Sequence, residues 1–196
     1  MKRKEGLYIN LTDIWGSMLN RRAKAYSQKV IESLQISCGD VITEIGSGGG
    51  YFTCEFAKKV GKDGKVFAVD INANLLNYIE KRLKKHNINN IITIEADETG
   101  FVLPNENCNL IFLRNVFHHI DNAEDYFRNI RNILKPNGKI VIIEWLPNKN
   151  GIYTMHAGHS TSETEICSVM EKAGFQRIHS FDFMTNQSFN VFDVIP

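Results

Sequence analysis

The segment VITEIGSGGGYFT, Val41 to Thr53, places Glu44 two residues before Gly46 and then adds Gly48, Gly49 and Gly50. A β-branched apolar run precedes these glycines and a helical pattern follows them. At such a junction the backbone can lie close to a ligand, and the next helix turns its free amides and positive dipole end toward it. Several ligand classes use this arrangement, and spacing separates them. A P-loop needs Lys-Ser or Lys-Thr after its glycines, and neither follows here. The dinucleotide fingerprint Gly-x-Gly-x-x-Gly fails at Tyr51 when begun at Gly46, and at Thr53 when begun at Gly48. What remains is Glu44-x-Gly46-x-Gly48-x-Gly50, a spacing in which Gly49 has no role.

Four histidines add a second chemistry. His118, His119, His156 and His159 carry the side chain that changes charge near neutral pH and serves most often as a general base. His156 and His159 stand three apart with no third ligand evident, so no metal site is expected. Cys38, Cys54, Cys108 and Cys167 lack Cys-x-x-Cys spacing, which suggests neither a zinc site nor a disulfide framework.

The elements that must position these groups follow from periodicity. Helical patterns cover Arg21 to Leu34, Tyr51 to Val60, Ala73 to His86 and Ser162 to Ala173. Another helix begins at Asp121, with Glu124 completing a capping box. Strand patterns cover Asp40 to Ile45, Lys65 to Val69, Ile91 to Ile94, Asn109 to Leu113 and Lys139 to Trp145. Two closing runs, Arg177 to Phe183 and Ser188 to Ile195, are spaced for an antiparallel hairpin. Strands alternating with helices predict an α/β fold: a three-layer α/β/α sandwich around a seven-stranded, mostly parallel sheet with its last strand antiparallel.

With 196 residues, 43% of them hydrophobic and 23% charged, the chain is expected to form one domain. A net charge of +1 gives no global attraction to nucleic acid or to an anionic surface. The N-terminus MKRKEGLYINL lacks a signal peptide's apolar segment and no run has membrane-span length, so the cytoplasm is expected.

With these elements in order, Glu44 to Gly50 resembles motif I of the class I S-adenosylmethionine-dependent methyltransferases. Four further landmarks fall in register. Asp70 ends the second strand, Ala96-Asp97 follows the third, Arg114 to Ile120 follows the fourth, and Leu134 to Lys139 resembles the turn into the fifth. The similarity runs from about Ile36 to Trp145 and is nearest to small-molecule enzymes of the ubiquinone/menaquinone-biosynthesis type.

The resemblance implies S-adenosyl-L-methionine as cofactor, S-adenosyl-L-homocysteine as product, and a small-molecule acceptor rather than nucleic acid, in a monomer or homodimer. It implies that Asp70 holds the ribose hydroxyls, Ile71 covers the adenine face, and Asp97 or its rival Glu98 meets the adenine amino group. Glu44 would orient the loop and hold the methionine amino group through water or backbone amides, and Gly46, Ser47, Gly48 and Gly50 would form the loop. Arg114 and Asn115 would line the methionine end, largely through backbone carbonyls. His159, just before the last helix, resembles a substrate-side histidine and is the candidate catalytic base. Residues 1–35 would be a helical segment that closes over the cofactor through Tyr8, Trp15 and Met18. Residues 36–145 would be the cofactor core, and residues 146–196 the substrate-side loop, helix and hairpin. The alternative is a catalytically inactive cofactor-binding or scaffold protein with the same fold.

Overall fold

The computed structural model describes residues 11–97, 100–104, 107–147 and 159–196. Strands β1 (Val41–Ile45), β2 (Lys65–Asp70), β3 (Ile91–Glu95), β4 (Cys108–Arg114), β5 (Leu134–Trp145), β6 (Phe175–Phe181) and β7 (Gln187–Val194) form a single sheet. Their order is β3-β2-β1-β4-β5-β7-β6. Strand β7 runs antiparallel to both neighbours, while β1 to β5 pair in parallel, so the expected mixed sheet is present.

Each inner strand sends alternate residues to opposite faces, as a period of two requires. In β5, Ile140 and Ile142 join Phe127, Ile166 and Met170 of helices α5 (Ala123–Ile130) and α6 (Glu163–Lys172). Val141 and Ile143 face the other way, toward Val30, Phe56 and Ile79 of α2 (Ser27–Ser33), α3 (Tyr51–Val60) and α4 (Ala73–His86). The centre of β5 is thus apolar on both sides, which explains its unbroken β-branched run.

Two elements depart from the sequence reading. The single helix expected over Arg21 to Leu34 is instead α1 (Leu11–Ala23) and α2, separated by Tyr26 at φ 58°. The apolar residues of α1 did not reveal it because Leu11, Ile14, Trp15 and Met18 are all exposed, and its one buried residue is Gly16. Helix α5 starts one residue later than expected: Asn122, not Asp121, is its cap, accepting from the Asp125 amide. Among the described residues no helix is long and apolar enough to cross a membrane.

Candidate active site

The chain leaves β1 for β2 and β3 on one side and returns to β4 and β5 on the other. In an open α/β sheet, ligands bind at that switch, beyond the carboxyl ends of the strands. The residues there are Gly46 to Gly50 after β1, Asp70 and Ile71 after β2, Asp97 after β3, Arg114 and Asn115 after β4, and Trp145 at the end of β5. All except Gly50 line one cavity of about 960 Å³.

The glycine loop is built by its backbone. Gly46 and Ser47 donate their amides to Val69 O at 2.8 and 3.0 Å, and Gly50 donates to Ser47 O at 2.8 Å. Gly46 sits at φ 71°, and a Cβ there would fall 2.2 Å from Val116 Cγ2. Gly49 has a different reason to be glycine. Its added Cβ would lie 2.3 Å from Gly16 O, so α1 rests directly on the loop. Arg82 Nη1 fixes the same residue by donating to Gly49 O at 3.0 Å.

Asp70 anchors both sides of the cleft. One carboxylate oxygen accepts the Gly48 amide at 2.8 Å and the other accepts the Asn72 amide at 2.9 Å. Ile71 beside it keeps 68% of its surface exposed, an apolar side chain left at the mouth of the cavity. Ser47 Oγ and Asn20 Oδ1, both on the cavity wall and buried, find no hydrogen-bond partner among the described residues. Such orphaned groups are the kind a bound polar ligand satisfies.

Glu44 is buried, and Thr53 Oγ1 donates to it through a short hydrogen bond. Burial pushes its carboxyl up to about 8, with nearby Asp70 adding to the rise and the Thr53 hydrogen bond opposing it. Asp97 uses its Oδ1 to accept the Gly100 amide at 3.1 Å, closing a tight turn at the cavity edge. Glu98 lies outside the described residues, as do His156 and Tyr8.

Arg114 lines the cavity, where its backbone carbonyl was the expected contact, and its side chain has a separate task. Its guanidinium donates to Ala23 O at 2.8 Å, Ala25 O at 3.1 Å and Gln187 Oε1 at 3.2 Å, tying the α1–α2 connection to the start of β7. Burial lowers its pKa to about 10, which leaves it charged at neutral pH. Asn115, at φ 57°, accepts a hydrogen bond from Gln187 Nε2.

Opposite the glycine loop, the structure gathers histidines that the sequence had kept apart. His118 and His119 lie in a 3-10 turn after β4 (Phe117–His119), and His159 precedes α6. The ring of His159 stands 5.2 Å from that of His118 and 5.4 Å from that of His119. The expectation of no metal-ligand set considered His156 and His159, whereas the fold supplies partners for His159 from the other side of β5. Burial and the two neighbouring imidazoles keep His119 below the usual histidine range. Behind them is a residue the sequence reading missed, Glu144, fully buried in β5. It accepts the His118 amide at 3.3 Å and the Trp145 amide at 2.7 Å. The available signal was a lone acid inside the apolar run IVIIEW.

Residues 43–142, just over half of the chain, match the family described as methyltransferase domain. The chain belongs to the family of S-adenosylmethionine-dependent methyltransferases. A ubiquinone/menaquinone biosynthesis C-methyltransferase of Azotobacter vinelandii is 25% identical over 146 residues, which cover 74% of this chain and 56% of that enzyme. The chain therefore spans little more than half the length of that curated relative. A methyltransferase structure from Aquifex aeolicus superposes with a TM-score of 0.80 at 20% identity, covering 92% of this chain and 98% of that one. Human N-acetylserotonin methyltransferase, solved in complex with S-adenosylmethionine, gives 0.72 at 16% identity over 92% of this chain and 55% of that one. At these identities the two structures speak for the fold.

Proposed function

We propose that this chain moves a methyl group from S-adenosylmethionine to a small acceptor held between the glycine loop and the histidines. The carrying observation is the continuity of the cavity, which runs from Asp70 and the glycines to His118, His119 and His159 without an intervening wall. When bound, the cofactor supplies a methyl carbon already activated by a positively charged sulfur. The protein's own part is then chiefly positioning, which at best lowers a barrier by about 7–11 kcal/mol.

Asp70 has two oxygens but spends only one backbone amide on each, so each keeps lone pairs for a ribose hydroxyl. Ile71 offers its exposed apolar surface to the adenine, with Asp97 at its amino group. Glu44, Ser47 and Asn115 line the methionine end, and a cationic amino group beside Glu44 would draw the proton off that carboxyl. Helix α1 acts as the roof, contributing Trp15, Leu19 and Asn20 to the wall and excluding water. His119, held neutral, and His159 are the bases for an acceptor that must lose a proton.

The finer proposal is an acceptor like a ring of the quinone-biosynthesis type, in keeping with the curated relatives. Trp15, Tyr26, Tyr126 and Trp145 around the cavity favour a flat aromatic molecule. S-adenosylhomocysteine should raise the melting temperature, and radiolabelled methyl groups should appear on a demethylated naphthoquinol. Failure of the product to bind at millimolar concentration would overturn the reading. Tight cofactor binding without transfer to any of a broad acceptor panel would favour a binding protein with this fold.

A further inference from the structure

The histidine end of the cavity contains more ligand atoms than one proton transfer needs. One nitrogen each from His118, His119 and His159 lies within 4.8 Å of the other two. Nitrogens bound to a common tetrahedral zinc stand about 3.3 Å apart, given zinc–nitrogen bonds of about 2.0–2.1 Å. Closing the remaining gap takes only modest side-chain rotation, and His119 and His159 are exposed and free to make it. The rings are splayed rather than stacked, at 48°, 72° and 62° to one another, so their in-plane lone pairs can converge.

Glu144 supplies the independent observation. Its Oε2 lies 3.0 Å from His118 Nδ1, and the carboxylate is completely buried. The contact is off line for a hydrogen bond, but an Nδ1 lone pair turned toward that oxygen would be repelled. The carboxylate thus favours the tautomer with its hydrogen on Nδ1, the one whose Nε2 can ligate a metal. A carboxylate behind a histidine is the usual way a protein fixes the tautomer and orientation of a metal ligand.

We propose that His118, His119 and His159 form a three-histidine site for a divalent first-row transition metal, with its open position facing the cofactor cavity. Three neutral imidazoles suit zinc, cobalt, nickel or copper and disfavour magnesium, which prefers oxygen ligands and an octahedral shell. The open position takes a hydroxyl oxygen of the acceptor as its anion. With the metal bound, His119 and His159 serve as its ligands in place of acting as bases: the metal makes that hydroxyl acidic and its proton leaves to solvent. The acceptor half of this proposal rests on the methyl-transfer reading; the metal half does not.

The test is titration of the metal-stripped chain with Zn²⁺ alone, followed by calorimetry, and with Co²⁺ followed by its visible spectrum. One ion per chain is expected, with no binding of Mg²⁺. His119→Gln and His159→Gln should each weaken Zn²⁺ binding at least tenfold, while His86→Gln and His179→Gln, remote from the cavity, should not. Acetohydroxamate, a chelating oxygen ligand, should shift the Co²⁺ bands. Absence of stoichiometric binding, or binding untouched by both cavity variants, would overturn the site, and unshifted bands would overturn its open position. Binding of S-adenosylhomocysteine by the same variants, measured separately, shows that they are folded. A failed metal titration beside intact product binding then sinks the metal alone, and the reverse result sinks the methyl-transfer reading alone.

Discussion

The two ends of the cavity are made in different ways. The glycine end is backbone: amides of Gly46, Ser47 and Gly50 bond to nearby carbonyls, Asp70 braces Gly48, and α1 leans on Gly49. The histidine end is side chain: two exposed rings and one buried ring, backed by a carboxylate from a neighbouring strand. An end made of backbone cannot change without disturbing the fold. An end made of exposed side chains can change its chemistry while the fold stands. In the proposed function the methyl donor belongs to the rigid half and acceptor choice to the adaptable one.

The contrast can be tested from its strong side downward. Asp70→Ala removes two charge-assisted hydrogen bonds and should weaken S-adenosylhomocysteine binding by at least ~100-fold, read by calorimetry. Asp70→Asn, which can still accept a hydrogen bond, should recover part of that loss. Gly49→Ala pushes a methyl group into the Gly16 carbonyl and should cost about 1–3 kcal/mol of stability, read by denaturant unfolding.

Glu44 gives the glycine end a signature in pH. Its folded carboxyl holds a proton up to about pH 8, whereas an ordinary one loses it near 4.5. Between those values the unfolded chain binds fewer protons, so stability present at low pH is lost as pH rises through the folded value. The slope should approach ~1.4 kcal/mol per pH unit in the cofactor-free protein. Glu44→Gln should flatten it, in melting curves taken across that range. At the other end, His119→Gln and His159→Gln should shift stability by no more than ~0.5 kcal/mol while lowering methyl transfer. A large loss of stability there would erase the distinction between the two ends.

The same contrast decides what was readable from sequence. The glycine end is local: Glu44 to Gly50 is one continuous stretch, and Asp70 closes the adjacent strand, so spacing together with the family resemblance exposed them. The histidine end depends on tertiary folding. His159 meets His118 only because β5 carries the chain past the 3-10 turn before α6 begins, and no sequence period encodes that meeting. Gly49 looked surplus because its reason is a helix from elsewhere in the chain. That helix was invisible for a related cause, since α1 buries a glycine against Tyr78 and leaves its apolar residues outside. Arg114 was read for its backbone after β4, and the separate task of its guanidinium, holding Ala23 and Ala25, is a tertiary contact that no spacing shows. Asp121 lost the cap to Asn122 because both residues carry capping side chains and boundaries are decided by neighbouring turns.

The Arg114 contact also has a bearing on the order in which the molecule is completed. One guanidinium joins Ala23 and Ala25 to Gln187, which lies far later in the sequence. Helix α1 has no buried apolar stripe to hold it in the meantime. Helix α1 is therefore expected to be fastened only after β7 has entered the sheet. Amide protection during refolding, followed residue by residue, should reach residues 11–25 after β7, and only then is the cavity roofed.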